Sequence, residues 1–238
     1  MKKTISFFSL FFIFLKAFSQ EHHNNEEIKN PMHPMNFGSI IFDRLEYIEK
    51  DKSLGYKITG FYGGDYNKLW LELEGKDYLK NNKGEIERAD LLYGKAVSSF
   101  WDARVGVSYA GDYNKGRKSV VLGIKGLAPY WLEVDSNIYL TEKGEVYLRF
   151  KAENDLLFTQ RLILQPHFET IFSNKKIENL ELGSGLSKVS FSLRLRYELK
   201  REFAPYIGVS FDRFFGQTKE LSHKSNESSF LIGIRMWF

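Results

Sequence analysis

The chain has 238 residues and no cysteine, and its 34 Lys and Arg against 30 Asp and Glu give a formal net charge of +4. Without cysteine, a disulfide framework, a thiolate metal site and a thiol nucleophile are all excluded. Lys2, Lys3 and Lys16 lie in the first nineteen residues, so the rest of the chain carries only +1 and lacks the basic surface expected of a nucleic-acid-binding protein.

The first nineteen residues have the pattern of a secretory signal peptide. Two lysines precede the apolar run at residues 5–15, which is too short to span a bilayer, since a membrane helix needs about 20 apolar residues. Ala17 and Ser19 are the small residues expected at positions −3 and −1 of a cleavage site. We therefore expect export, with Gln20 as the first residue of the mature chain.

Residues 20–37 are polar, contain two prolines and show no periodicity, which predicts a short flexible periplasmic arm. Methionine thioethers select Cu(I), and imidazoles accept Cu(I), Cu(II) and zinc. A flexible arm must be ordered when it wraps a metal, so its affinity should be moderate. The alternative is a chance cluster in a polar tail. The candidate metal ligands of the arm are His22, His23, Met32, His33 and Met35.

From about residue 40 to the last residue the hydrophobic pattern has period two, which predicts an all-β domain over residues 38–238. After residue 19, no window holds eighteen consecutive apolar residues, which excludes an α-helical membrane protein. The pattern predicts about twelve strands, with ten as the alternative. They lie near residues 40–49, 53–62, 67–75, 86–97, 101–110, 117–127, 130–140, 145–156, 159–172, 186–199, 204–214 and 228–238.

The strand faces favour an antiparallel transmembrane β-barrel over a soluble sandwich or lipocalin. In the last strand Phe230, Ile232 and Ile234 share an apolar face that continues to Phe238. Such a band repeats from strand to strand and suits lipid, whereas a soluble barrel keeps its apolar face inside. The aromatic content of 16% fits interfacial girdles. The gaps 172–186 and 215–228 are polar and are predicted to be surface loops, and no segment has helical periodicity.

The predicted inward face carries charges of both signs, most of which we expect to form structural ion pairs. Glu133, Asp135 and His167 are the candidate cation sites along a pore, although His167 could equally be a hydrogen-bonded lumen residue. G-x-S-x-G, H-E-x-x-H and phosphate-binding glycine loops are absent. A non-enzymatic role is therefore predicted, and a barrel phospholipase is the weaker alternative.

Several segments together resemble the copper resistance protein B family. They are NKLW at 67–70, GLAPYWLEVD at 126–135, ENDLLFTQRLILQP at 153–166, GSGL at 183–186 and LRLRYELKREFAPYIGV at 193–209. The resemblance covers nearly all of the predicted barrel.

This resemblance implies a copper-binding outer-membrane barrel that contributes to copper resistance and homeostasis, by sequestration or by passage of copper. Its implied partners are outer-membrane lipid, copper ions as Cu(I) or Cu(II), and a periplasmic copper protein. Family members often carry arms with repeated Met- and His-rich motifs, and here only the five residues of the short arm correspond to them. A general-solute porin, or a structural barrel without a metal role, is the alternative.

Overall fold

The computed structural model describes residues 36–80, 83–112, 116–222 and 225–238. The predicted signal peptide and nearly all of the arm lie outside these residues. Twelve long strands and one two-residue strand, β9, form a single sheet in the described part of the chain. The strands are β1 Phe37–Ile48, β2 Ser53–Gly63, β3 Asn67–Tyr78, β4 Lys83–Ser98, β5 Trp101–Asp112, β6 Arg117–Ala128, β7 Leu132–Thr141, β8 Val146–Glu153, β9 Leu156–Leu157, β10 Leu162–Ser173, β11 Gly185–Tyr197, β12 Phe203–Phe214 and β13 Asn226–Trp237.

The sheet is a closed antiparallel barrel, because its last strand pairs with its first. Ile41 lies opposite Trp237 and Ile48 opposite Leu231. The backbone N–H groups of Ile40 and Phe238 each donate to the other's carbonyl oxygen, at 3.1 and 3.0 Å. Every long strand thereby has two neighbours, and no backbone edge is left unpaired in an apolar solvent. The prediction of a twelve-stranded transmembrane barrel is confirmed.

The two faces of the strands separate as the period-two pattern predicts. Phe230 and Ile232 in β13 are 67% and 63% exposed on the outside, whereas Leu231 between them is 2% exposed. In β11, Phe191 and Tyr197 face outward, and Arg194 and Arg196 are buried inside. An apolar exterior and a polar interior follow from the alternation of Cβ directions along a strand.

Several strand boundaries differ from the predicted ones. Phe37, assigned above to the arm, pairs with Gly63 as the first residue of β1. Strand β7 begins at Leu132 because a 3-10 turn precedes it, in which Tyr130 and Trp131 have φ of 64° and 61°. Asn154 Nδ2 donates to the Tyr130 carbonyl oxygen at 2.9 Å and holds this left-handed turn.

The loop between β10 and β11 was predicted to lie on the surface, and this prediction is wrong for its apolar residues. Ile177 and Leu182 are buried and pack against inward side chains of the barrel wall. The segment is mostly polar, but it contains three apolar residues, Ile177, Leu180 and Leu182, whose burial is favourable. At the exposed part of the loop, Lys176 Nζ donates to Glu178 Oε1 at 2.9 Å and lowers the pKa of that carboxyl below its usual value.

The segment 215–228 also differs from its prediction, because it contains a short helix, Gly216–Ser222. Two turns are too short to show helical periodicity in a sequence. Thr218 Oγ1 accepts a hydrogen bond from the Gly183 N–H at 2.7 Å, which ties the helix to the β10–β11 loop. Among the residues that the structure describes, no helix is long and apolar enough to cross a membrane.

The lipid-facing band can be tested with a charge placed at mid-height. Leu122, in the middle of β6, is 58% exposed. We expect Leu122→Arg to lower the free energy of unfolding in lipid vesicles by about 2–4 kcal/mol, because a guanidinium at the bilayer midplane loses its hydration. The control is Leu199→Arg in the β11–β12 turn, where the cost should be about 0–1 kcal/mol. Equal effects of the two substitutions, measured by urea unfolding, would contradict the placement of the lipid band.

Candidate functional site in the barrel lumen

The interior of the barrel is built from charged side chains of alternate strand positions. A barrel of eight strands is filled by its side chains and one of sixteen leaves a channel, so twelve strands lie between these cases and the lumen depends on side-chain length. The buried charged residues are Glu46, Glu72, Glu74, Arg88, Asp90, Arg104, Arg117, Arg149, Lys151, Glu169, Arg194 and Arg196.

Ion pairs reach from one wall of the barrel to the other. Lys57 Nζ in β2 lies 3.6 Å from Glu153 Oε1 in β8, six strands away in the sheet order. Lys151 in β8 pairs with Glu74 in β3. These long side chains therefore meet across the lumen and narrow it.

The centre of the lumen holds four charged groups that we call the quartet: Glu72, Arg88, Arg104 and Asp135. The two oxygens of Glu72 lie 2.7 Å from Arg88 Nη2 and 2.7 Å from Arg104 Nη1. Asp135 Oδ2 lies 3.3 Å from Arg88 Nη1, and its other oxygen contacts Arg104. Each carboxylate thus bridges both guanidinium groups. Arg104 Nη2 also donates to Asn137 Oδ1 at 3.1 Å.

A glycine makes room for this arrangement. A Cβ at Gly123 in β6 would lie 1.9 Å from Oδ1 of Asn137, which is the oxygen that accepts from Arg104. Any side chain at Gly123 would therefore displace Asn137 from its place beside the quartet.

A distal cavity, at the end of the barrel where β1 ends and β13 begins, has a volume of about 90 Å³. It runs from Asp51, in the β1–β2 turn, to His167 in the lumen. His167 is 4% exposed, and its Nε2 has no hydrogen-bond partner among the described residues. Charged groups and hydroxyls share the wall, among them Arg44, Glu46, Glu169, Ser190, Ser192, Arg194, Ser210 and Ser229.

A terminal cavity opens at the other end, where β1 begins and β13 ends, and has a volume of about 790 Å³. Trp70 and Trp101 line it together with Asp102, Lys125 and Glu133. Lys125 Nζ lies 4.7 Å above the centre of the Trp70 ring, a cation–π contact, and 3.5 Å from Oε1 of Glu72 in the quartet.

An apolar plug occupies part of the lumen between the β4–β8 wall and the β10–β11 loop. Tyr139 and Tyr147 stack with ring centres 4.5 Å apart and planes 2° from parallel. The Tyr139 hydroxyl donates to Asp90 Oδ2 at 3.0 Å. The plug consists of Leu92, Val121, Tyr139, Tyr147, Ile177 and Leu182.

The three lumen residues singled out from the sequence occupy three different places. His167 lines the distal cavity, Asp135 belongs to the quartet and Glu133 lines the terminal cavity. They do not form one site. Within the described ranges, no three His, Cys, Asp or Glu side chains are grouped to hold a metal ion. The arm ligands His22, His23, Met32, His33 and Met35 lie outside those ranges, so their role stays a prediction.

Arg88 and Arg104 were not among the residues singled out from the sequence, although a signal for Arg104 was present. In β5, Arg104 and Ser108 alternate with the apolar Val105 and Val107, which places the arginine on the inward face. In β4, Arg88 lies inside a register shift between Ile86 and Ala89, which breaks the period-two pattern at this point.

The chain is similar to known proteins both in sequence and in fold. The family model described as "Copper resistance protein B precursor (CopB)" matches residues 36–238. Copper resistance protein B of Escherichia coli is 36% identical over 205 residues, covering 84% of this chain and 69% of that protein. The Copper resistance protein B homolog of Pseudomonas syringae pv. tomato is 35% identical over 207 residues, with the same coverage of both chains. A crystal structure of the NanC porin superposes with a TM-score of 0.53 at 10% identity, covering 84% of this chain and 99% of the porin, and is similar in fold.

Proposed function

Because the chain belongs to the copper resistance protein B family, we propose that it contributes to copper resistance and homeostasis as a copper-binding barrel of the outer membrane. The observation that carries this proposal is the match over residues 36–238, which spans the whole barrel rather than one motif. The apolar outer band supports insertion into outer-membrane lipid, after export directed by residues 1–19.

Copper is the cargo of this proposal, and the arm is its capture site. Met32, His33 and Met35 offer two thioethers and an imidazole within four residues, and His22 and His23 add two further imidazoles. This donor set suits Cu(I) and accepts Cu(II). A periplasmic copper protein is the partner that would exchange copper with such an arm.

The lumen offers weaker contacts for the same cargo. His167 supplies an imidazole nitrogen that has no hydrogen-bond partner in the described part of the chain, and Glu169 supplies a carboxylate in the same cavity wall. Arg44 and Arg194 share that wall and repel a bound cation. His167 and Glu133 therefore serve passage or brief retention of copper, and Asp135 joins them only when its ion pairs with Arg88 and Arg104 part. Tight storage is left to the arm.

The proposed role is non-enzymatic and is tested by deleting the gene. We expect the deletion strain to tolerate less copper and to show an altered cell copper content, and the full-length gene to restore both. Zinc tolerance is the matched control, because a general-solute porin would affect both metals. Unchanged copper tolerance and unchanged cell copper would contradict the proposal and favour the porin.

The arm is tested by Met32→Ala/His33→Ala/Met35→Ala in the full chain. The triple variant should lose most of the copper that the purified wild-type protein retains, because it removes three soft or borderline donors. Met236→Ala, in the lipid-facing part of β13, is the control and should retain copper as the wild type does. Equal copper content in all three proteins, measured by elemental analysis, would contradict the assignment of the arm.

A further inference from the structure

We propose that Arg88 and Arg104 are the selectivity-determining barrier of the lumen, and that in the resting state their quartet with Glu72 and Asp135 closes the barrel to cations. This inference deepens the proposed function and rests on it only for the identity of the ion that finally passes. The barrier itself follows from where the quartet lies and from how its charges are paired.

Contacts connect the quartet to the linings of both cavities. The distal and terminal cavities open at opposite ends of the barrel and share no lining residue, and none of the four quartet residues lines either one. On the distal side Arg88 Nε lies 3.8 Å from Glu74, which lines the distal cavity. On the other side Glu72 contacts Lys125, which lines the terminal cavity.

Most of the quartet is also shielded from water. The side chain of Arg104 is 0% exposed, those of Arg88 and Glu72 are each 3% exposed, and that of Asp135 is 13% exposed. Both carboxylates are bound by both guanidinium groups. An ion that moves from one cavity to the other through this layer must therefore part an ion pair that is already desolvated, and parting buried pairs is costly.

The sign of the barrier follows from what each group can do. Guanidinium groups stay charged at any accessible pH, and arginines in a narrow pore repel cations. The carboxylates would attract a cation, but their oxygens are occupied by Arg88 and Arg104. Removing one guanidinium frees carboxylate oxygens toward the lumen, whereas removing one carboxylate leaves positive charge in excess. The two changes should therefore shift ion selectivity in opposite directions.

The test measures conductance and reversal potential of the purified full-length protein in planar lipid bilayers with a KCl gradient, without copper. We expect the wild type to conduct little. Arg104→Gln should raise the conductance by about tenfold or more, equivalent to a barrier lowered by about 1.4 kcal/mol, and should shift the reversal potential toward that of K⁺. Glu72→Gln should shift it toward that of Cl⁻.

Matched variants separate this role from a structural one. Arg104→Lys keeps the charge and should keep the wild-type selectivity. Arg117→Gln removes another buried arginine, whose carboxylate partners Glu142 and Glu145 lie outside the quartet, and should leave conductance and selectivity unchanged. Folding of each variant is checked by far-ultraviolet circular dichroism.

Three results would overturn the inference. They are an open, porin-like conductance of the wild type, identical selectivity of the folded Arg104→Gln and Glu72→Gln variants, and an Arg117→Gln variant that opens the barrel as much as Arg104→Gln does. The wild-type conductance tests the inference even if a variant fails to fold, because it needs no substitution. Because the ions are K⁺ and Cl⁻, a barrel without a role in copper resistance could still show the barrier, so the two proposals fail separately.

Discussion

Replacing Arg194 with Met should lower the free energy of unfolding of the barrel by about 3–5 kcal/mol, the cost of leaving a buried charge without its partner. Arg194 Nε and Nη2 donate to the two oxygens of Glu46, at 3.1 and 3.0 Å. Both side chains are nearly inaccessible to water, and the pair joins β11 to β1, three strands away in the sheet order, on the inner face of the barrel. After the substitution Glu46 keeps the hydroxyl of Tyr206 as a donor at 2.9 Å, which replaces only part of what is lost.

A double-mutant cycle separates the pair from its surroundings. Glu46→Gln removes the unpartnered charge, so Arg194→Met/Glu46→Gln should recover much of the stability that Arg194→Met loses. Lys50→Met is the control, because Lys50 is 41% exposed and pairs with Glu227 near the rim, where such pairs contribute about 0–1 kcal/mol. The measurement is urea unfolding in detergent. Additive single and double variants would show that Arg194 and Glu46 are not coupled.

Tyr139→Ala should destabilise the barrel by about 3–5 kcal/mol, as expected when a large buried side chain is truncated to alanine. Tyr139 is 1% exposed, and its ring stacks on Tyr147 in the apolar plug. The substitution leaves a cavity beside Ile177 and removes the hydroxyl that donates to Asp90. Because Ile177 holds the β10–β11 loop to the plug, the loop should also open more often.

Two measurements check this expectation. Trypsin should cleave after Lys175 or Lys176 faster in Tyr139→Ala than in the wild type, because loop opening exposes this segment to the protease. Ile138→Ala is the matched control, since Ile138 is the preceding residue of β7 and points to lipid, 49% exposed. It should leave both the unfolding free energy and the cleavage rate nearly unchanged. A Tyr139→Ala variant as stable and as protected as Ile138→Ala would show that the plug does not hold the loop.

The predictions for Arg194 and Tyr139 both concern side chains that fill the lumen. The plug and the β10–β11 loop occupy part of the interior. The ion pairs occupy the centre, and two cavities remain at the ends. Passage of copper through such a barrel requires rearrangement of paired charges, whereas capture by the arm does not. Conductance and copper retention therefore report on different parts of the proposed function.

The sequence by itself was sufficient for the fold. Strands alternate strictly between two environments, so the period-two pattern placed twelve strands near their observed positions, and it put Phe230 and Ile232 on the outer face. The family resemblance likewise rests on short segments of sequence. Two of the differences, at Leu132 and in the segment 215–228, lie where a left-handed turn or a two-turn helix interrupts the alternation.

Only the tertiary structure decided how the interior is arranged. The pattern along one strand says that Glu72 and Asp135 point inward, but their shared partners lie on other strands, as with Arg88 and Asp135, 47 residues apart. Barrel closure and the relative heights of the strands determine which charges meet. The closed barrel also provides the interior in which Ile177 and Leu182 are buried. Alternation is a property of neighbouring residues, whereas charge pairing across a lumen depends on distances between walls that no local pattern contains.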